Sequence, residues 1–341
     1  MKATIRDVAK YANVSISTVS RVMNAPDTVA EEKRSRVLEA IEALQYQPNA
    51  FARGLIYKKS DTIGVMIPDI ENPYFAGLIR GMQDAAVKLN HSLMICNTDR
   101  DKKRTIAYVQ SFFEKQVDGF IFASDSLHKE YYEEMERYHL PFVLASTNAP
   151  EYNIPSVDID DEQAAFEAVR HLIASGHRNI GMINMPLDRT ISGQPRYEGF
   201  HRALEEGGLH HCKPYVEYAE HRYTDAYEAA ARLFAQHPEL TAVFAASDEF
   251  AMGTISYLRD QGKSVPGHVS VIGFDNIRMA EMFIPKLTTI EQPTYEIGYR
   301  SVQMLHELIT KGKVRVLREK LPHRLIVRES TAIHIHPVHV D

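Results

Sequence analysis

Residues 4–24 constrain the fold most strongly, because they carry two short helical patterns with a turn between them. Apolar residues recur at helical spacing in the first pattern, and these are Ile5, Val8, Ala9 and Ala12. Asn13 stands at the predicted turn, where an asparagine tolerates left-handed backbone, and Ser15 offers a capping oxygen to the next helix. The segment therefore predicts a pair of helices joined tightly, as in a helix-turn-helix unit.

The second helix of this pair has one apolar side and one polar side. The side chains predicted to point inward are Thr18, Val19 and Val22. The side chains left facing outward are Ile16, Ser17, Ser20 and Arg21. A capped helix with small polar residues and an arginine near its start is suited to entering the major groove of DNA. The alternative is a plain helical hairpin, and the residues that follow favour the DNA interpretation.

A third helix is predicted over residues 30–44, with a buried stripe of Val37, Leu38, Ile41 and Leu44. The run TIRDVAKYANVS…TVSRVMN…YQPNAFARGL then closely resembles the headpiece and hinge of the lactose/galactose repressor family. The resemblance continues to the C-terminus through IPDIENPYF, VDGFIF, SGHRNIGMI, RYEGFHRAL, SDEFAMG, VIGFDN, LTTIEQP and LPHRLIVREST. Three stretches, IPSVDIDDEQAAFEAV, PTYEIG and LPHR, are most similar to the catabolite-control branch of that family.

The resemblance implies a three-part chain: a helix-turn-helix headpiece over residues 1–48, a hinge helix or linker over 49–60, and an effector-binding and dimerisation domain over 61–341. The last part would have two doubly wound α/β lobes, as in periplasmic binding proteins. The chain would cross between the lobes near residues 160, 290 and 321. This places the N-lobe at about 61–160 and 291–320, and the C-lobe at about 161–290 and 321–331.

Strands and helices alternate beyond residue 60 even without the resemblance. The predicted strands are 62–67, 92–96, 119–123, 142–145, 179–183, 242–245 and 269–273. The predicted helices are 74–89, 102–115, 162–175, 197–206, 226–235 and 249–260. Two such series imply two parallel sheets with helices on both faces. Ligands of such sheets bind at the carboxyl ends of the strands, in the cleft between the lobes.

Composition agrees with a cytoplasmic regulator built from more than one domain. A chain of 341 residues is too long for one core, and its 44% hydrophobic and 25% charged residues are ordinary for a globular protein. The first 60 residues hold ten Lys and Arg against six Asp and Glu, whereas the remainder is acidic. We find no signal-peptide pattern and no apolar run of membrane-spanning length, and we interpret Cys96 and Cys212 as reduced thiols.

The resemblance implies which headpiece and hinge residues touch DNA. Base edges would be read by Ile16, Ser17 and Arg21, whereas Ser15, Thr18, Ser20 and Asn24 would contact phosphates. The remaining DNA contacts in the matched positions are Thr4, Asn49, Ala52 and Leu55. We expect the hinge to be disordered in the free protein and to fold when two copies meet over the minor groove, where Leu55 would act as a wedge. The alternative for this segment is an ordinary linker.

The loops after the predicted strands hold candidate effector ligands. Arg196 and Asp275 match the sugar-hydroxyl ligands of the family, because an arginine offers donors and a carboxylate offers acceptors. Their alternative role is a structural ion pair that closes the cleft. Tyr74 and Phe75 would stack on a sugar ring, or else serve as core residues at a helix start. The other candidates are Asp69, Ser124, Ser146, Asp248 and Gln292.

Two modes of control remain open from the sequence. In the catabolite-control branch a serine-phosphorylated phosphocarrier protein docks on the N-lobe, and Tyr295 and Arg324 match positions used there. Gln303 stands where that branch has an arginine for the phosphoserine, and Arg300 lies one turn earlier as a substitute. A neutral amide weakens that mode, so we favour a small sugar or sugar phosphate.

The expected protein is therefore a homodimeric repressor of carbohydrate-utilisation genes that binds a pseudo-palindromic operator. A transporter's solute-binding protein would share the two-lobed body but would lack the headpiece. An enzyme would need a catalytic constellation, and none stands out. The run His210-His211-Cys212 does not favour a metal site, because adjacent residues seldom chelate one ion well. We expect no metal and no cofactor.

Overall fold

The computed structural model describes residues 3–46, 60–123, 126–209, 215–220 and 222–334. The chain divides into two compact units, residues 1–60 and residues 61–341. The predicted hinge contacts Asn49, Ala52 and Leu55 lie outside the described residues. None of the helices in the described ranges is long and apolar enough to cross a membrane.

Residues 3–46 of the first unit contain three α-helices, α1 (Ile5–Tyr11), α2 (Ile16–Asn24) and α3 (Glu31–Ala43), with a 3-10 turn at Pro26–Thr28. Asn13 has a φ of 52° in the turn between α1 and α2, and the Ser15 hydroxyl accepts the Thr18 N–H at the start of α2, which confirms both sequence interpretations. The Arg36 guanidinium on α3 donates to the carbonyls of Ala12 and Asn13, which fixes the third helix against this turn.

The core of this unit consists of small aliphatic side chains: Val8, Ala9, Ala12, Val19, Val22, Val37 and Ala40. The prediction that Leu38 is buried is wrong, because 53% of it is exposed. The side of α3 that faces the core runs through Val37, Ala40, Ile41 and Leu44, and Leu38 lies about 100° around the helix from Val37. Thr18 is only half-buried.

The second unit alternates strands and helices in the order expected. Its strands are β1 (Thr62–Ile67), β2 (Ser92–Asn97), β3 (Gly119–Ala123), β4 (Phe142–Ala145), β5 (Ser156–Asp158), β6 (Ile180–Asn184), β7 (Tyr215–Tyr218), β8 (Ala242–Ala245), β9 (Ser270–Asp275), β10 (Thr288–Glu291), β11 (Arg318–Lys320) and β12 (Arg324–Ile326). Its helices are α4 (Tyr74–Lys88), α5 (Lys102–Glu114), α6 (Lys129–Arg137), α7 (Asp161–Ala174), α8 (Gly193–Glu206), α9 (Tyr223–Gln236), α10 (Asp248–Asp260) and α11 (Thr294–Lys311).

These strands form two six-stranded sheets, ordered β11-β5-β4-β3-β1-β2 and β12-β10-β9-β8-β6-β7. The prediction of two parallel sheets is confirmed, with one exception: β12 runs antiparallel to β10. The chain passes from one sheet to the other after Asp158, after Glu291 and after Lys320. We call the lobe around the first sheet the N-lobe and the lobe around the second sheet the C-lobe.

Helix α8 begins at Gly193, four residues before the start predicted from its apolar pattern. Gly193 and Pro195 are poor residues inside a helix, but a proline in the first turn loses no hydrogen bond that the helix needs. Arg196 is therefore a residue of the first turn and its direction is set by helical backbone. Helices α6 and α11 and the strands β5, β7, β10, β11 and β12 are not among the elements predicted from the sequence. The strands have only three or four residues each, which carry too little periodicity.

Candidate functional site

The outward side of α2 forms the candidate DNA interface in the first unit. Ile16 is 45% exposed although it is apolar, and Ser17 and Arg21 are exposed beside it. Val19 and Val22 on the opposite side are buried, so the helix is held by its inner side alone. This leaves the residues predicted to read bases on the solvent side of the helix.

Several residues that are predicted to contact DNA also form hydrogen bonds at the starts of the helices. The Ser15 hydroxyl lies 2.8 Å from both the Ser17 and the Thr18 hydroxyl oxygens, while it also caps α2. Thr4 forms a capping box with Asp7 at α1, and these hydrogen bonds lower the pKa of the Asp7 carboxyl. Ser20 is half-buried, and Asn24 ends α2.

The second unit contains a cleft at the carboxyl ends of strands from both sheets, with about 770 Å³ of empty space that is partly open to solvent. Six of the predicted effector ligands line it: Tyr74, Phe75, Ser146, Arg196, Asp275 and Gln292. Sequence reasoning missed Asn72, Arg100, Ser126, Asp161, Met185, Arg189, Ile191, Ser192 and Ser247. Four of these follow a strand directly or stand at a helix start, and that position is the signal that could have found them: Asp161, Met185, Ser192 and Ser247.

Arg196 is buried in the C-lobe wall of this cleft, with only 6% of its surface exposed. Its Nε and Nη2 donate to one Asp161 carboxylate oxygen at 2.8 and 2.7 Å, and its Nη1 donates to the Ala246 carbonyl. The guanidinium lies 3.7 Å above the centre of the Phe274 ring. The ion pair of Arg196 is therefore with Asp161, and not with Asp275 as the alternative interpretation of the sequence had it.

Asp275 ends β9 with a φ of 118°, a backbone region that few residues other than glycine adopt. One of its carboxylate oxygens accepts a hydrogen bond from the Gln292 amide at 2.8 Å. Burial raises the pKa of Asp275 to about 7, while the nearby Arg196 charge opposes the shift. Asp275 is therefore a carboxyl group that changes its charge near neutral pH.

Gln292 connects the two lobes at the floor of the cleft. Its amide nitrogen donates to Asp275, and its carbonyl oxygen lies 3.3 Å from the Tyr74 hydroxyl. The same hydroxyl donates to the Ser146 hydroxyl at 2.6 Å. Phe75 packs edge-on against the Tyr74 ring, with 5.3 Å between ring centroids. Both aromatic residues are more than nine-tenths buried, so they combine the predicted cleft position with the alternative core role.

Two other predicted ligands, Asp248 and Asp69, do not line the cleft. Asp248 is fully buried behind it, where its two oxygens accept from the Thr289 hydroxyl at 2.6 Å and the Ile277 N–H at 2.8 Å. Burial and the neighbouring Asp275 raise the pKa of Asp248 well above its usual range. Asp69 accepts the Glu71 N–H in a tight turn and does not line the cleft. Ser124 lies outside the described residues.

Three of the four positions matched to phosphocarrier contacts lie on α11, whereas Arg324 begins β12 in the C-lobe sheet. Arg300 donates with two nitrogens to Glu319, both at 3.1 Å, and a third nitrogen donates to Gln303. Arg324 is paired with Glu291 although 73% of its side chain is exposed. The Tyr295 hydroxyl donates to Asp84. Arg300 is thus already held by a carboxylate.

A helix-turn-helix unit joined to a two-lobed body with an interlobe cleft defines a ligand-responsive DNA-binding regulator. Residues 4–49 match the bacterial regulatory proteins of the LacI family, and residues 60–329 match the periplasmic binding proteins and sugar binding domain of LacI family. The chain belongs to the LacI family.

Curated relatives and solved structures agree with this membership. The chain is 41% identical to catabolite control protein A of Priestia megaterium, over 97% of this chain and 100% of the relative. It is 37% identical to the ribose operon repressor of Halalkalibacterium halodurans, over 96% and 97% of the two chains. It is similar to the Lac repressor dimer bound to operator and an anti-inducer, with 26% identity, a TM-score of 0.87 and coverage of 97% and 100%. The prediction of a family of DNA-binding transcriptional regulators is confirmed.

Proposed function

We propose that this chain is a homodimeric repressor of carbohydrate-utilisation genes, and that a small sugar or sugar phosphate in the interlobe cleft controls its binding to operator DNA. The names of two relatives, a catabolite control protein and a ribose operon repressor, support the carbohydrate connection. The observation that carries the proposal is the buried Arg196 in one cleft wall, close to a carboxyl group at Asp275 and an amide at Gln292.

This set of groups suits adjacent hydroxyls on a sugar ring. The guanidinium of Arg196 provides donors, and the Asp275 carboxylate accepts from hydroxyls when it is ionised. Asp161 holds Arg196 in place, so that little side-chain freedom remains to be lost when a ligand binds. The Tyr74 and Phe75 rings contribute apolar surface at the same cleft.

The cleft also contains features that favour a phosphate on the ligand. Arg100 and Arg189 line it in addition to Arg196, and hydroxyls of Ser126 and Ser192 lie in the same lining. Ser192 immediately precedes α8, where helix N–H groups and the helix dipole favour an anion. A sugar phosphate would use these groups together with the hydroxyl-binding set around Asp275.

On the DNA side, Ile16, Ser17 and Arg21 are proposed to reach base edges in the major groove. Ser15, Thr18, Ser20 and Asn24 would position the headpiece on phosphates, and Thr4 is a further proposed DNA contact. Asn49, Ala52 and Leu55 would contact the minor groove when two hinges meet, with Leu55 prying open a central base step. Unchanged operator affinity and DNA bending in Leu55→Ala would remove the wedge role.

A second copy of the chain is proposed as the partner, because a short hinge and one modestly basic headpiece bind DNA weakly alone. Apolar side chains stand exposed on a short stretch of the C-lobe: Met279 at 40%, Met282 at 69% and Ile284 at 88%. A two-fold contact through this stretch would bury them in both copies.

A phosphorylated phosphocarrier protein remains the second candidate for control, on the strength of the 41% identical catabolite control protein. The geometry favours it less than the sugar. To grip a phosphoserine, Arg300 would have to leave its two hydrogen bonds to Glu319, and Gln303 brings no charge.

Calorimetry with the full chain separates these candidates. We expect a sugar or a sugar phosphate from a panel to bind wild type and to bind at least tenfold more weakly to Arg196→Lys. Arg202→Lys is the matched control, since Arg202 lies on the same helix but pairs with Glu162 and Gln163 outside the cleft. Tight binding of the serine-phosphorylated carrier that is lost in Arg324→Ala and kept in Arg196→Lys would contradict the sugar proposal.

A further inference from the structure

Three side chains with metal-ligating atoms meet at the end of the N-lobe sheet opposite the cleft. Asp61, His91 and Asp118 each stand one residue before a strand, namely β1, β2 and β3. The sheet register places Thr62 beside Ser92 and Ile63 beside Gly119, so these preceding residues are neighbours. One nitrogen of His91 and one oxygen from each aspartate all lie within 4.8 Å of one another.

The cluster is separate from the effector cleft. The cleft lies at the carboxyl ends of the strands, whereas these residues lie at the amino ends. Strand β1 has six residues, which corresponds to about 20 Å between its two ends. No residue of the cluster lines the cleft.

One ring nitrogen of His91 faces the carboxylate of Asp118 without a hydrogen bond. Its side chain is 8% exposed, and its Nδ1 is buried with no hydrogen-bond partner among the described residues. His91 Nδ1 lies 3.8 Å from an Asp118 carboxylate oxygen, and this distance is too long for a hydrogen bond. The Asp118 side chain is only 5% exposed. A buried imidazole nitrogen without a hydrogen-bond partner costs free energy, and a cation bound to it would remove that cost.

The other side of the His91 ring is already held. Its Nε2 lies 3.2 Å from Nδ1 of His306 on α11, and the two rings pack edge to face. When His91 donates through Nε2, its Nδ1 carries a lone pair directed at the cluster. Metal-binding histidines almost always have their second nitrogen hydrogen-bonded in this way, which fixes both tautomer and ring orientation.

We propose that Asp61, His91 and Asp118 bind one divalent transition-metal ion, and that the ion is Zn²⁺. One imidazole and two carboxylates suit zinc, whereas calcium and magnesium prefer all-oxygen sites. At the tetrahedral angle, zinc bonds of about 2.0 to 2.2 Å separate two ligand atoms by about 3.3 to 3.6 Å, so the 3.8 Å between His91 Nδ1 and the Asp118 oxygen has to close by a few tenths of an ångström. Asp61 is exposed, so its carboxylate can move inward to complete the site. Water would fill the fourth position.

Bound zinc would tie the start of β1 to the starts of β2 and β3. Asp61 is the first residue of the second unit, so the ion would stabilise the sheet at the point where the chain enters it. An ion that binds only the folded state raises the unfolding temperature with its concentration.

The test measures zinc binding by the metal-free full chain, with equilibrium dialysis and calorimetry as the two methods. The visible absorption of bound Co²⁺ serves as a probe of coordination. We expect wild type to bind one more zinc ion than His91→Gln, and Asp118→Asn to lose at least tenfold in affinity. His306→Gln, which removes the supporting imidazole, should lose about tenfold or more in zinc affinity. His201→Gln is the control, because His201 is a half-exposed surface histidine on α8 and should bind zinc as wild type does.

Zinc stoichiometry and affinity in His91→Gln and Asp118→Asn equal to those of wild type would overturn the proposal, as would no zinc binding by wild type. If His91→Gln or Asp118→Asn fails to fold, the variant Asp61→Asn tests the site instead. Its side chain is exposed, so the variant should fold and bind zinc more weakly, with a changed Co²⁺ visible spectrum. An unchanged spectrum and affinity in Asp61→Asn would refute the site.

Discussion

At the scale of single residues, the proposed role of Asp275 as an effector ligand predicts that effector binding depends on pH. The pKa of Asp275 lies at about 7, so about a tenth of this carboxyl is ionised at pH 6 and about nine-tenths at pH 8. The ionised form is the one that accepts from two sugar hydroxyls. We therefore expect an unphosphorylated sugar to bind up to about tenfold more tightly at pH 8 than at pH 6, as measured by calorimetry. Asp275→Asn should bind with little pH dependence, and an equal slope in both proteins would contradict the assignment.

The raised pKa of Asp275 affects folding stability in the opposite direction: stability falls as the pH rises. Burial favours the protonated form of Asp275 in the folded chain, so its contribution to stability is fully present below about pH 4 and is lost as pH rises toward 7. Relative to Asp275→Asn, the unfolding free energy of wild type should fall by about 1 to 3 kcal/mol between pH 4.5 and pH 8. Urea unfolding at several pH values measures this difference. Burial raises the pKa of Asp158 to about 6, but Asp158 is present in both proteins, so its contribution cancels in the difference between their unfolding free energies.

Arg21 is the residue on α2 best suited to specify a base. It is exposed near buried Val22, and an arginine binds guanine through two hydrogen bonds. Arg21→Ala should weaken operator binding by about 1 to 3 kcal/mol and relax the preference at one base pair. Competition binding on operators mutated at single positions tests this. Equal weakening on all sequences would make Arg21 a phosphate contact instead.

At the scale of elements, α4 and α11 of the N-lobe pack closely because glycines face the neighbouring backbone. A Cβ added to Gly81 would lie 1.9 Å from the Tyr295 carbonyl oxygen, and one added to Gly298 would lie 2.0 Å from the Leu78 carbonyl oxygen. The backbone of the neighbouring helix would have to move to make room, so Gly81→Ala should lower the unfolding free energy by more than about 2 kcal/mol. Val87→Ala on the exposed side of α4 is the control and should change it by less than about 0.5 kcal/mol. Similar losses in both would refute the close-packing account.

The elements show how far the sequence could be interpreted. Long periodic helices such as α7 and α10, and buried strands such as β3, were predicted to within one or two residues, because burial imposes their pattern. Strand β12 was not, since its pairing with β10 depends on a distant part of the chain. In the first unit, Leu38 was misplaced because one apolar residue can sit beside a buried stripe without belonging to it.

The lining of the cleft was predictable only in part, because it too depends on contacts between distant parts of the chain. Loops after strands pointed to Arg196 and Asp275, but the partner of Arg196 is Asp161, which belongs to another helix start. Asp248 follows a strand as a ligand should, yet its carboxylate turns inward to Thr289. The direction of a side chain depends on tertiary contacts that spacing along the chain does not record.

At the scale of the whole molecule, the account requires that the cleft and the DNA interface be coupled. Gln292 joins the two lobes through Asp275 and Tyr74, and it stands where the chain passes from β10 to α11. A ligand that replaces the Gln292–Asp275 hydrogen bond would change how the lobes close. By linkage, the ligand alters DNA affinity by the same factor as DNA alters ligand affinity.

The most direct test of the central claim is operator affinity measured with and without the effector found by calorimetry, in wild type and in Arg196→Lys. We predict at least about a fivefold change in operator affinity for wild type, which corresponds to about 1 kcal/mol of coupling. Arg196→Lys should bind the operator as ligand-free wild type does and should show no change with effector. Operator affinity in wild type that is independent of saturating effector would contradict the account.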